Sequence, residues 1–184
     1  ARFMRTNKFD FNLPENLIAI EPAEPRDSSK IVEVSEKFKI HKFSNIINIL
    51  NKNDCIILNN TKVIPAKLEG EYNEKKISIT LNKLINNKNS LIWSVYLKPL
   101  KKVSEFRIIK FSNDFFGKII EINKSMSGEV LIEFNYSYKK FLKLINKYGV
   151  LALPPYITKR RLYLKSDNNN YQSIFAENCG AIAA

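Results

Sequence analysis

A mixed α+β fold is what this sequence predicts, with a six-stranded antiparallel β-barrel set between two stretches that combine short helices with strands. Three observations carry the expectation. Between residues 62 and 136 the chain holds almost nothing but strand-like runs, six of them at a spacing that suits a small barrel or sandwich. On either side, over residues 1–61 and 137–184, apolar residues return at helical as well as strand intervals. The strands are also rich in Ile and Phe, and closing them into a barrel removes edges that such strands would otherwise expose.

In chain order, Pro14 can open a short helix that continues to Ile18. "KIVEVSEKFKIHKF" alternates Ile31, Val32 and Val34, then Phe38 and Ile40, with polar partners, which predicts a hairpin turning near Glu36. His41 is expected to point outward from its strand and is assigned no chemistry. Ile46, Ile47, Ile49 and Leu50 predict a helical stripe behind Ser44 as cap. "DCIILNN" is continuously apolar from Cys55 to Leu58 and predicts a buried strand ending at Asn59 and Asn60. The six barrel strands are expected at Val63–Leu68, Ile77–Leu84, Leu91–Leu97, Phe106–Phe111, Gly117–Ile122 and Glu129–Phe134. Trp93 and Tyr96 fall on opposite faces, one in the core and one at a rim. Phe141, Leu142, Leu144 and Ile145 then predict a helix stopped by Gly149. "VLALPPYI" is expected to be extended, because each proline disfavours helix in the residue before it. Finally, Asp167 to Asn170 are expected to cap a helix running through Tyr171, Ile174 and Phe175.

Composition narrows the function classes. The 184 residues carry 45% hydrophobic side chains, enough for a folded core. No run approaches the ~18 apolar residues a membrane span needs, and no apolar signal core follows the charged residues Arg2, Arg5 and Lys8, so a soluble cytoplasmic protein is expected. Cys55 and Cys179 lie far apart and His41 is the single histidine, so no metal-ligand spacing is available and both thiols are expected to be reduced. The net charge is +12, from 30 basic and 18 acidic residues. Such a balance attracts an anionic polymer such as RNA, although the heavy use of Lys, Asn and Ile is also what coding bias would produce.

"NNTKVIPAKL", Asn59 to Leu68, is the most informative segment. At a strand's C-terminal edge it offers the amides of Asn59 and Asn60, the Thr61 hydroxyl and the Lys62 ammonium, while Pro65 bends the chain and withholds a sheet donor. Ordinary turn chemistry would use the same residue types. Together with "FDFNLPENLIAIEPAEPRDSSK" (Phe9 to Lys30), "LPPYI" (Leu153 to Ile157) and "YQSIFAENCGAIAA" (Tyr171 to Ala184), this segment resembles the S-adenosylmethionine:tRNA ribosyltransferase-isomerase family of queuosine biosynthesis, N-terminal part only. The resemblance implies an incomplete α/β catalytic domain with the barrel inserted in it, and a monomer acting on tRNA away from membranes.

The reaction so implied moves the ribosyl group of S-adenosylmethionine onto the aminomethyl group of a 7-deazaguanine base in tRNA, with release of adenine and methionine. S-adenosylmethionine is consumed as substrate, and no separate cofactor or metal is expected. The protein must then supply a base for a sugar proton, a donor for adenine, and groups that read hydroxyls. Arg26, Asp27 and Thr61 are the catalytic candidates. Asn59, Asn60, Lys62, Lys67, Tyr156, Tyr171, Gln172, Gly180 and Ala183 are the candidates for holding substrate. A carboxylate can read a ribose diol and a guanidinium can grip an anion at two points, or the Arg26–Asp27 pair can be a local salt bridge at a turn. Tyr156 can stack on a base or pack in a core.

Departures from the family pattern are specific. Asn60 stands where the family has Asp, Lys62 and Lys67 stand where it has Arg, and Glu177, Asn178 and Cys179 replace basic, acidic and proline residues. An amide is not a base, and Lys lacks the planar fork of Arg. The chain reaches Ala184 just where the family continues with its glycine-containing loop, so a truncated, inactive form is expected. The alternative is a non-catalytic basic β-barrel module that binds RNA.

Overall fold

The computed structural model describes residues 5–88, 90–123 and 129–181, with no account of the Lys102 and Ala181 side chains. Its strands are β1 (Lys30–Val34), β2 (Phe38–Lys42), β3 (Thr61–Val63), β4 (Lys67–Tyr72), β5 (Lys75–Asn86), β6 (Leu91–Lys98), β7 (Ile108–Ser112), β8 (Phe115–Ile122), β9 (Glu129–Phe134) and β10 (Asn178–Ala181). Its α-helices are α1 (Tyr138–Tyr148), α2 (Pro155–Thr158) and α3 (Asp167–Asn170). The chain divides into two compact units, one running to Ile56 and the other from Ile57.

In the second unit, β4 to β9 close an antiparallel barrel in the order β4-β5-β6-β9-β8-β7. Two three-stranded meanders, β4-β5-β6 and β7-β8-β9, are sealed by β6 against β9 and by Glu71 of β4 against Lys110 of β7. Strict alternation drives closure: along β8 and β9, Phe115, Ile119, Val130, Ile132 and Phe134 all turn inward and are fully buried. Gly117 lets that core close, since a side-chain carbon there would lie 2.7 Å from Ile132 Cγ2. Trp93 is buried and Tyr96, three residues on, is exposed, as expected. α1 begins at Ser137, whose hydroxyl accepts from the Lys140 amide, and it plugs one end of the barrel. Phe141 meets Phe134 at 4.8 Å between ring centroids and Trp93 at 5.8 Å.

Several sequence expectations need correction. The run Val63–Leu68 is not one strand: Pro65 lies between β3 and β4, and only β4 enters the barrel. β7 begins at Ile108 rather than Phe106, because Phe106 has φ 61°, a left-handed turn conformation incompatible with a strand. Gly149 does end α1, but its φ of −87° is not left-handed. Close approach is what demands glycine there, for a side-chain carbon would fall 2.2 Å from the Pro65 carbonyl oxygen. Rather than extending "VLALPPYI" throughout, the structure makes Pro154 the N-cap and Pro155 the first residue of α2, where a missing N–H costs nothing. α3 lasts one turn, and Ile174 and Phe175 lie beyond it, exposed.

The first unit is built differently. β1 and β2 form the expected hairpin, with Val34 opposite Phe38. Its apolar face, Val32, Val34, Phe38 and Ile40, is exposed, while His41 is half-buried on the other face with Nε2 2.9 Å from Glu33 Oε2. That reverses the outward placement expected for His41. Carboxylate and imidazole shield each other there, while the hydrophobic face stays more than half exposed among the described residues. The stripe from Ile46 forms a 3-10 turn, Phe43–Asn48, with Lys42 rather than Ser44 at the cap, and Ile47 remains 75% exposed. Cys55 to Leu58 form no strand, and Ile57 is 92% exposed. Among the described residues no neighbouring strand pairs with them, and an apolar run without a ladder has no reason to stay regular.

Candidate functional site

Two distant sequence segments meet at β3. The Asn59 side-chain oxygen accepts from the Thr61 amide at 2.9 Å, an Asx turn that delivers the chain into β3. The Asn60 carbonyl accepts from the Glu177 and Asn178 amides at 2.7 and 3.1 Å. β10 then pairs with β3 in parallel, with Asn178 opposite Thr61 and Cys179 opposite Lys62. Gln172 closes the arrangement: its side chain accepts from the Val63 amide at 2.8 Å and donates to the Val63 carbonyl at 2.9 Å. A side-chain amide thereby imitates one rung of a β-ladder.

Beside β3 lies a cleft of about 430 Å³, lined among others by Lys62, Asn146, Asn168, Asn169, Gln172 and Ser173. Its floor is backbone and aliphatic, from Val63, Pro65, Gly149 and Leu151. Amides, a hydroxyl and one ammonium suit a polyhydroxylated or anionic ligand. Asn168 is held in place, since its side-chain oxygen accepts from the Tyr163 hydroxyl at 2.8 Å.

The cleft's α3 wall rests on a group that sequence reading treated as a simple cap. Asp167 is 2% exposed and accepts two bonds from Arg161, at 2.9 and 2.7 Å, and one from the Leu164 amide at 2.8 Å. The Arg161 guanidinium holds the Asp167 carboxyl below the usual carboxylate range, helped by the Leu164 amide and opposed by burial. The only sequence signal for this pair was an acid six residues after an arginine within a basic stretch, an interval that matches no helix or strand period.

Of the sequence-derived candidates, Asn59, Asn60, Thr61, Lys62, Gln172 and Gly180 come together around the β3–β10 pair. Tyr171 ends α3 next to Gln172. Lys67 starts β4, where its backbone exchanges hydrogen bonds with Val150 at 3.0 and 2.9 Å. Tyr156 is exposed on α2. Neither Lys67 nor Tyr156 lines the cleft among the described residues. Arg26 and Asp27 belong to a 3-10 turn of the N-terminal unit, and Ala183 lies outside the described residues. Among the described residues no cluster of His, Cys, Asp and Glu suits a metal ion, and no helix is long and apolar enough to cross a membrane.

Residues 6–184 match the family model described as queuosine biosynthesis protein. The chain belongs to this family. Among its relatives, the S-adenosylmethionine:tRNA ribosyltransferase-isomerase of Zymomonas mobilis is 35% identical over 182 residues, covering 98% of this chain and 52% of that protein. The protein of the same name from Brucella melitensis is 35% identical over 193 residues with the same coverage. A crystal structure of an S-adenosylmethionine tRNA ribosyltransferase from Thermotoga maritima is 28% identical, over 83% of this chain and 53% of that one, with a TM-score of 0.38. The chain thus spans about half the length of the curated relatives it matches.

Proposed function

We propose that this chain serves tRNA queuosine modification by transfer and isomerisation of the ribosyl group of S-adenosylmethionine onto a 7-aminomethyl-7-deazaguanine base, giving epoxyqueuosine. The observation that carries the reading is the 35% identity, across 98% of the chain, to relatives bearing that enzymatic name. The family match covers residues 6–184 and not the barrel alone, which favours a transferase over a barrel that only binds RNA.

In such a reaction the sulfonium acidifies the adjacent sugar carbon and later departs as the neutral thioether of methionine, while adenine needs a proton as it leaves. The cleft chemistry matches the substrate-holding half of this task. Amide groups of Asn168 and Asn169 can read ribose hydroxyls, and Lys62 can neutralise the amino acid carboxylate or a tRNA phosphate. Thr61, fixed by Asn59, offers a hydroxyl at the start of β3. With Asn60 an amide, the proton-abstracting base is to be sought at a position other than 60. We further propose that the chain as it stands supplies part of the reaction pocket and does not turn over alone.

The test uses the chain, S-adenosylmethionine and tRNA bearing the 7-aminomethyl-7-deazaguanine base, with adenine release, base mass and cosubstrate binding as readouts. Cosubstrate binding weakened at least tenfold by Lys62→Ala, without adenine release, is the expected result. Adenine release with the matching mass gain supports the transferase and overturns the partial-pocket clause. Absence of both binding and release overturns the reading.

A further inference from the structure

The eleven residues of α1 include Lys139, Lys140, Lys143 and Lys147 and no acid. Lys139, Lys143 and Lys147 follow one another at intervals of four, so they share one face of the helix. Like charges at that spacing repel and destabilise an isolated helix. Lys147 is answered by Asp114 at 3.6 Å. Lys139, Lys140 and Lys143 are exposed, and no ion pair is found for them among the described residues. Lys140 lies over the Tyr136 ring, 5.1 Å from its centroid.

Tyr136 links this face to a depression on the outer barrel wall. The depression has a volume of about 590 Å³ and is lined by Ile108, Phe116, Lys118, Glu133, Asn135 and Tyr136. Ile108 is 63% and Phe116 37% exposed, although both belong to strands whose other faces build the core. Register brings Ile108 opposite Lys118 and Lys110 opposite Phe116, so two ammonium groups flank the apolar floor. Glu133, opposite Lys118 on β9, is the one acid in the lining among the described residues.

We propose that the lysine face of α1 and the adjoining depression form a docking surface for tRNA, with the lysines meeting successive phosphates and the Phe116–Ile108 floor receiving an unpaired base. Lys139 and Lys143 are about 6 Å apart along the helix, of the order of the step between neighbouring phosphates on one strand. An aromatic side chain beside exposed ammonium groups is the combination that holds single-stranded nucleic acid without reading its sequence. A volume of a few hundred cubic ångströms suits a nucleobase and its sugar. The inference rests on the tRNA substrate proposed above and assigns where on this chain the RNA lies.

The experiment measures binding of an unmodified tRNA transcript to the full chain over a salt series, with no cosubstrate present, so that its outcome is separate from that of ribosyl transfer. Lys139→Gln combined with Lys143→Gln should lower the slope of log affinity against log salt by about 1.4 to 1.8, at ~0.7–0.9 per phosphate contact. Phe116→Ala should weaken binding by about fivefold or more with the slope unchanged. Lys118→Gln, on a different element, guards against misreading a helix defect and should lower the slope by about 0.7 to 0.9. Wild-type slope and affinity in all three variants would overturn the docking surface and leave the transferase reading standing. No tRNA binding by the wild-type chain at low salt would also overturn it. Equal binding of poly-glutamate at matched charge would assign the face to an acidic protein and overturn the RNA assignment.

Discussion

The hairpin of the first unit and the barrel of the second use the same alternating pattern and end in opposite states. Along β1 and β2 the apolar residues Val32, Val34, Phe38 and Ile40 are all more than half exposed, and no residue between Arg5 and Ile56 is buried. Along β8 and β9 the corresponding positions are at or near zero exposure. Alternation sorts side chains onto two faces, but burial requires a second surface to cover one of them. The barrel provides that surface by closing on itself and taking α1 as a plug. A two-stranded hairpin has nothing to close with.

The sharpest way to break this contrast is to truncate one aromatic in each region. Phe134→Ala, which removes a buried ring packed against Phe111, Phe115 and Phe141, should cost about 3–5 kcal/mol. Phe38→Ala should change stability by no more than about 0.5 kcal/mol. Trp93, the single tryptophan and buried in the barrel, gives a fluorescence signal for urea unfolding in both variants. A Phe38→Ala shift of the Trp93 midpoint matching that of Phe134→Ala would erase the distinction.

Next in size is Asp167→Ala, which removes the buried carboxylate that takes two bonds from the Arg161 guanidinium and should cost about 3 kcal/mol in the same assay. Because the Asp167 carboxyl is held low in the folded state, its contribution is complete above the ordinary carboxylate pKa and is lost as pH falls through the lowered value. The gap between wild type and Asp167→Ala should therefore narrow in acid. A gap that widens there would contradict the ion pair.

Gly149→Ala drives a methyl group against the Pro65 carbonyl and should cost about 1–3 kcal/mol through forced separation of α1 from the β3–β4 link. In contrast, Glu74→Gly should stabilise the barrel by about 1 kcal/mol. Asn73 and Glu74 form the two-residue β4–β5 turn with φ of 46° and 61°, a conformation that suits Asn and Gly but strains Glu. Thermal melts resolve both. The smallest effect is at Asp114, an exposed carboxylate whose pKa the Ser112 and Tyr148 hydroxyls lower to about 2. Its tie from β7–β8 to α1 should persist above pH ~3.8 and loosen as pH falls toward 2. An acid titration of the melting temperature should lose that step in Asp114→Asn.

Much of the barrel was legible because its signal is local and repeated. β9 runs from Glu129 to Phe134 as the sequence predicts, since alternation of Val130, Ile132 and Phe134 with Glu129, Leu131 and Glu133 fits no other period. Errors gathered where one residue overrules the pattern: Pro65 divides a predicted strand, Phe106 turns left-handed before another, and Pro154 with Pro155 starts a turn of helix where extension was expected. The site was legible in part. Sequence reading singled out Asn59 to Lys62, Gln172 and Gly180, which meet at β3. It missed the Asp167–Arg161 pair and the asparagines of α3, because those contacts depend on how a loop folds back rather than on any repeat.

By itself, then, the sequence determined the family, the number and register-bearing pattern of the barrel strands, and the polar composition of the segment entering β3. Side-chain period and residue chemistry are properties of the chain, present before it folds. Only the tertiary structure decided which apolar faces became core, that Gln172 would act as a rung on Val63, and that Asp167 would be buried against Arg161. Each of those depends on a partner more than 100 residues away, on the closing of a sheet, or on the path of a loop, and no local interval encodes them.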